Sequence, residues 1–313
     1  MNATRRPSNR LPALLFTCGD PAGIGPELAV AAALSSRVRR ACVPILVGEL
    51  AVFRRAGWKP GLAPLVDTRL GLTPPAKGRS SAVGGKLSFA SFRLAVRLAA
   101  RGVAAGVVSA PISKKSWAMA GLPYPDHTEY LRELCPRADA QMILGAPSQG
   151  LWCVLATRHI PTAKVAKLLS VDSIVSSAVT LRRALILIGR KNPTLGLCAF
   201  NPHAGEDGLL GPEEARILAP AAKRAGLQGP IAADTAWRWH TEGKLDGLVC
   251  LYHDQALIPL KTAAGLGIVN WTAGLPFIRT SPGHGTGFDI AGKRKADPSA
   301  TIEAALLAAS LAA

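Results

Sequence analysis

Short apolar runs alternate along the chain with longer stretches whose apolar residues recur every three or four positions. ALLFTC (13–18), CVPILVG (42–48), AAGVVSAP (104–111), LWCVLAT (151–157), LGLCAF (195–200) and GLVCLYH (247–253) are short enough, and apolar enough, to predict buried strands. Between them, PELAVAAALSS (26–36) predicts a helix with Pro26 in its first turn, and KLSFASFRLAVRLAARG (86–102) a helix stopped by Gly102. Further helices are predicted over 173–188 and 212–225. Strands alternating with helices predict an α/β fold on a mostly parallel sheet. The segment 60–86 is rich in Gly, Pro and Ser without a clear period, and predicts a long surface excursion.

In open α/β sheets the chemistry gathers at the carboxyl ends of the strands. Five of the predicted strands run into polar residues: TCGD, SAPISK, ATRH, FNPH and LYHD. Three of these deliver a histidine, namely His159, His203 and His253. Three neutral imidazoles can hold a borderline divalent ion and leave a position open for substrate. One of them could instead serve as a general base with the others structural. Asp254 adjoins His253, and Glu206 follows His203 by three; either can orient an imidazole or sit solvated in a loop.

Composition narrows the class. The 313 residues are 49% hydrophobic and 18% charged, which predicts a globular body of one large or two medium domains. No apolar run approaches the roughly 20 residues of a membrane span. The basic, polar MNATRRPSNR reads as a frayed tail of a cytoplasmic protein, and the apolar LPALLF after it is too short for a signal core. Six cysteines without a C-x-x-C pair predict buried, reduced thiols. A net charge of +17 fits a nucleic-acid partner, a merely soluble basic surface, or an anionic substrate. Aromatics are 5% and do not interleave with the basic residues, which argues against nucleic acid.

Smaller clusters add candidates. In DHTEYL (126–131) a helix start with His127 and Thr128 at its mouth suits a phosphate or carboxylate, or is a plain cap. Lys261, Asn270 and Arg279 can together grip an anion. GDPAGIGPEL (19–28) and HGTGFDIAGKRKADP (284–298) are Gly-rich loops before helices, able to approach a nucleotide closely, although neither is G-x-G-x-x-G.

The stretches GDPAGIGPEL, SAPISKKSWAMAGLPYPDHTEYL, LATRHIP, NPHAGEDGLLGPEE, ADTAW, LYHDQALIPLK and VNWTAGLPFIRTSPGHGTGFDIAGK resemble, in order, the 4-hydroxythreonine-4-phosphate dehydrogenase family. The resemblance implies an isocitrate/isopropylmalate dehydrogenase-like fold of two α/β/α domains with the active site in the cleft between them. A discontinuous first domain, 1–122 with 272–313, would carry the cofactor loops; a second, 123–271, the metal and dimer contacts. It implies His159, His203 and His253 as ligands of one divalent ion (Zn, Co, Mg or Mn), with one histidine donated across a homodimer. It implies His127, Thr128, Lys261, Asn270 and Arg279 for substrate, and Asp234 and Asp254 as active-site carboxylates. Gly19, Gly25, His284, Gly285 and Thr286 would lie against NAD or NADP. The implied reaction oxidises 4-hydroxythreonine 4-phosphate to a β-keto acid that decarboxylates to 3-amino-2-oxopropyl phosphate, in pyridoxal phosphate biosynthesis. Rival expectations are a sister dehydrogenase of threonate or erythronate 4-phosphate and, more distantly, an acyl- or phosphotransferase of related fold. One departure stands out: family members commonly carry glycine before His-Thr-Glu, where this chain has Asp126.

Overall fold

The computed structural model describes residues 11–313; the tail expected at the N-terminus lies outside them. Eleven strands are present among the described residues. They are β1 (Ala13–Thr17), β2 (Val43–Gly48), β3 (Leu65–Asp67), β4 (Gly106–Val108), β5 (Gln141–Ala146), β6 (Leu151–Leu155), β7 (Leu195–Cys198), β8 (Gln228–Ile231), β9 (Gly247–Cys250), β10 (Val269–Ala273) and β11 (Ile278–Pro282). The chain divides into two compact units. One runs to Ala138 and resumes over Leu275–Ala313; the other is Asp139–Gly274.

In the first unit the strand order is β3-β2-β1-β4-β11, all parallel. β1 and β4 are apolar on both faces, as a sheet covered on both sides requires. The helix Ala82–Ala100 lays Phe92, Ala95, Val96 and Ala99 onto one side. It starts four residues before the predicted position, because the Ser81 hydroxyl caps it by accepting from Gly84 N, and the Gly-Gly pair that reads as loop lies inside it. The Ala-rich Ser299–Ala312 buries Ala304, Ala305 and Ala308, whose small side chains allow close approach to β11. The helix His127–Leu134 belongs here too: Tyr130 packs edge-on against Phe89 at 5.2 Å. Residues 123–138 therefore fall in this unit, where the sequence reading has them in the second.

The second unit orders its strands β10-β5-β6-β9-β7-β8. β5 is antiparallel to both β10 and β6, and the remaining pairs are parallel. Leu144, Leu155, Leu248, Cys250, Ala256 and Leu260 form its core. The strand predicted over 247–253 ends at Cys250, and His253 opens the helix His253–Ala264. The helix predicted over 212–225 begins as a π-turn, Glu214–Leu218, before becoming the α-helix Ala219–Ala225. Among the described residues no helix is long and apolar enough to cross a membrane.

Candidate functional site

The second unit brings two of the three histidines together. Beyond β6 the chain stays hooked to the end of β9: Ala156 N donates to Cys250 O at 2.8 Å, and the Thr157 hydroxyl to Leu251 O at 2.6 Å. The segments that follow are thus held side by side, and the His159 and His253 rings lie 5.7 Å apart. His159 is in the left-handed region, φ 48°, a strained setting for a residue with a Cβ and one that clusters at functional sites. Both line a hollow of about 250 Å³ with Ile160, Thr162, Tyr252 and Asp254. His253 Nδ1 meets Asp254 Oδ1 at 2.6 Å. A carboxylate accepts, so Nδ1 carries the hydrogen, and the neutral form of the ring presents its lone pair on Nε2. This is the arrangement that orients ligating histidines.

Gln255 fixes this corner, and sequence reasoning passed over it. Its Nε2 donates to Ala199 O at 2.7 Å, its Oε1 accepts from Leu251 N at 2.7 Å, and its carbonyl accepts from Trp237 Nε1 at 2.8 Å. The ends of β7 and β9 are thereby tied to the turn that carries His253 and Asp254. A second hollow of about 440 Å³ holds Asp234 and Asp254 with Trp237, Tyr252, Ile258 and Pro259. Tyr252 borders both hollows; burial, then the nearby Cys198 and Asp254, raise its pKa.

His203 does not join this group. It is exposed, on the loop after β7, and does not line the hollow. Among the described residues no three His, Cys, Asp or Glu side chains are placed to hold an ion. Lys261 is exposed in the last turn of its helix, and Asn270 sits on β10 with a buried Oδ1 that has no hydrogen-bond partner.

The other substrate candidates belong to the first unit. Arg279, on β11, is 6% exposed. Its Nε donates to the Ser109 hydroxyl at 2.9 Å, and its Nη2 lies 3.0 Å from His127 Nδ1. A guanidinium donates only, so His127 Nδ1 accepts and its hydrogen sits on Nε2, which is buried and unpartnered. The imidazole lies on Phe92, 3.9 Å between ring centres. Burial, then Arg279 and Lys114, hold its pKa well below the ordinary 6.5, so it is a neutral donor. Burial also pushes Arg279 down to about 10, which leaves it charged.

Asp126 itself caps the helix that starts at His127. Its Oδ1 accepts from Thr128 N at 2.8 Å and Glu129 N at 3.3 Å, and its Oδ2 pairs with Lys114 Nζ at 3.0 Å. The amides that an external anion would use at this helix start are already bound. Burial opposes the charge, but Lys114 and the two amides outweigh it and lower the Asp126 pKa.

The two Gly-rich loops meet within the same unit. Ile24 N donates to Thr286 O at 2.9 Å, and a Cβ on Gly23 would come within 2.5 Å of that oxygen. Lys77 Nζ donates to Gly23 O at 2.8 Å. His284 turns Nδ1 toward Gly285 O at 3.0 Å and leaves Nε2 buried without a partner. Gly25 follows Ile24, and Gly285 precedes Thr286, so these glycines flank the place where the loops meet, while Gly19 packs against Pro111 and Ala110.

Residues 41–308 match the family described as pyridoxal phosphate biosynthetic protein PdxA. The chain belongs to this family. A 4-hydroxythreonine-4-phosphate dehydrogenase from Synechococcus sp. (strain JA-3-3Ab) is 38% identical over 331 residues, covering 96% of this chain and 95% of that one. The crystal structure of the Klebsiella pneumoniae 4-hydroxythreonine-4-phosphate dehydrogenase is 34% identical with a TM-score of 0.82, covering 96% of this chain and all of that one. The chain is therefore an oxidoreductase of the PdxA family, which acts in pyridoxal phosphate biosynthesis. A branched-chain phosphotransacylase from Enterococcus faecalis shares the fold, with a TM-score of 0.57 at 12% identity, and nothing further follows from that likeness.

Proposed function

We propose that the chain oxidises 4-hydroxythreonine 4-phosphate at its secondary hydroxyl with NAD or NADP, and that the β-keto acid formed loses CO₂ to give 3-amino-2-oxopropyl phosphate. The observation that carries the proposal is the His159–His253 pair, with Asp254 bonded behind His253. Two adjacent imidazoles, one oriented by a carboxylate, fit a divalent ion that needs one further protein ligand. His203 of a second copy would supply it in a homodimer with a shared active site. The exposure of its loop, where Leu209 is 83% exposed, supports this. When bound, a zinc, cobalt, magnesium or manganese ion supplies Lewis acidity that strengthens the substrate hydroxyl as an acid.

The chain's own groups do the rest. Asp234 or Asp254, which share one hollow, would take the hydroxyl proton, and a nicotinamide, when bound, would supply the hydride acceptor. On decarboxylation the C–C pair stays with the substrate as an enolate, which is then protonated on carbon. Arg279 offers a fixed charge and His127 a neutral Nε2–H to the anionic groups, with Thr128, Lys261 and Asn270 completing the grip. The two loops that carry Gly19 and Gly25, and His284, Gly285 and Thr286, would receive the dinucleotide, where backbone can approach closely. Six free thiols, five of them buried, suit the cytoplasm.

The test is NAD(P)H formation by metal-loaded protein on 4-hydroxythreonine 4-phosphate, beside threonate and erythronate 4-phosphates, each with and without chelator. Chelator-sensitive turnover of the amino acid substrate is expected. Turnover of the sugar acids alone would reassign the substrate, and no reduction with any of them would end the proposal.

A further inference from the structure

The loop that carries His203 has an unusual backbone. Residues 203–207 are all left-handed, with φ of 50°, 56°, 84°, 41° and 53°. Four of the five are not glycine, and each of those pays a steric penalty against its own Cβ. A run like this persists when neighbouring groups over-determine it. Here the neighbour is the carboxylate of Glu214, which is 7% exposed.

Glu214 Oε1 accepts from Phe200 N at 2.8 Å and Asn201 N at 2.7 Å, and its Oε2 accepts from Asn201 Nδ2 at 2.8 Å. The same amide nitrogen donates to Glu213 Oε2 at 2.9 Å. The carboxylate therefore grips the entrance to the loop. It also fills the inside of the turn: a Cβ on Gly205 would come within 2.8 Å of Glu214 Oε2. Burial works against its charge, yet the bonds from Asn201 and Phe200 keep its pKa below the usual carboxylate range. Glu214 opens the π-turn Glu214–Leu218, a local irregularity often found at functional sites. Gly205 is buried against the carboxylate, while His203 and Pro202 before it are exposed.

We propose that Glu214 is a positioning residue: its carboxylate fixes the left-handed turn and so sets the direction in which His203 is presented. The inference rests on the reading of His203 as a metal ligand. Outer groups that orient a ligand typically change metal affinity tenfold to a hundredfold when removed.

The experiment is a Co²⁺ titration of chelator-stripped full-length protein, followed by visible absorption and calorimetry, for wild type, Glu214→Gln, His203→Ala and the double variant. Glu214→Gln should weaken Co²⁺ binding by about tenfold to a hundredfold. In the His203→Ala background the same change should have no further effect, because Glu214 acts through that histidine. Equal weakening in both backgrounds would make Glu214 a general structural residue and overturn the proposal. Unchanged Co²⁺ binding in Glu214→Gln, with loss in His203→Ala, would overturn it and leave His203 as a ligand. Unchanged binding in His203→Ala would remove both. If Glu214→Gln does not fold, Gly205→Ala enters the same cycle, since its Cβ meets the same carboxylate oxygen.

Discussion

Replacing Gln255 by Met tests whether the His253–Asp254 corner is held as described. The substitution keeps the side chain's length and most of its volume, so little of its effect comes from a cavity. It removes both side-chain bonds, leaving Leu251 N and Ala199 O without the partners they now have at 2.7 Å. Gln255 is 7% exposed, so water does not readily replace them. Each buried group left unsatisfied costs about 1–3 kcal/mol, which sums to about 2–6 kcal/mol. A typical domain has about 5–15 kcal/mol in total, so the loss should be plain in urea unfolding followed by tryptophan fluorescence, as a lower midpoint at unchanged slope. The same variant should bind Co²⁺ more weakly, because the ends of β7 and β9 are no longer tied to the turn bearing His253. A loss under about 1 kcal/mol would refute the bond accounting, and full stability loss with unaltered Co²⁺ affinity would refute the link to the site.

Two further expectations follow from the titrating groups. Asp126→Asn keeps an oxygen for Thr128 N and Glu129 N but drops the charge beside His127, so stability should change by under about 1 kcal/mol while KM for a phosphorylated substrate falls, more so at low salt; an unchanged KM would count against a substrate anion there. His240 is buried and neutral, with Nδ1 donating to Leu245 O and Nε2 accepting from Trp152 N, both at 2.8 Å. Burial lowers its folded pKa below the ordinary 6.5, so its contribution is full above that pH and is lost as pH falls through it, when the unfolded chain takes up the proton first. Urea stability should decline between pH 6.5 and 5, less steeply in His240→Gln, and equal slopes would exclude this residue as a cause.

Much of the fold is legible in the sequence because the central strands and long helices carry strong periods. The ends of β6 and β9 announce themselves by ATRH and LYHD, and His159 and His253 do converge. What stays hidden depends on contacts far apart in the chain. Arg279 and His127 are 152 residues apart, and their bond decides which imidazole nitrogen carries the hydrogen. Ser-capping at Ser81 overrides the loop-like Gly84–Gly85 pair. That Asp126 caps its own helix and pairs with Lys114, twelve residues earlier, is likewise visible only in the structure. Glu214 looks like one of two ordinary acids at a helix start, and its three bonds to Phe200 and Asn201 follow from a loop no periodicity describes. His203 stands at an equivalent strand end, yet that loop carries it out toward solvent rather than to its partners.

The central claim is that His159 and His253 of one copy share an ion with His203 of another, and mixing inactive subunits tests it most directly. His203→Ala and His253→Ala proteins, each without turnover, are unfolded together in equal amounts and refolded. In a two-fold dimer half the molecules pair unlike copies, and in each of those one of the two shared sites keeps all three histidines. Activity should return to about a quarter of wild type, with Co²⁺ bound in the same proportion. If the mixture stays as inactive as its parents, the three histidines do not form a shared site.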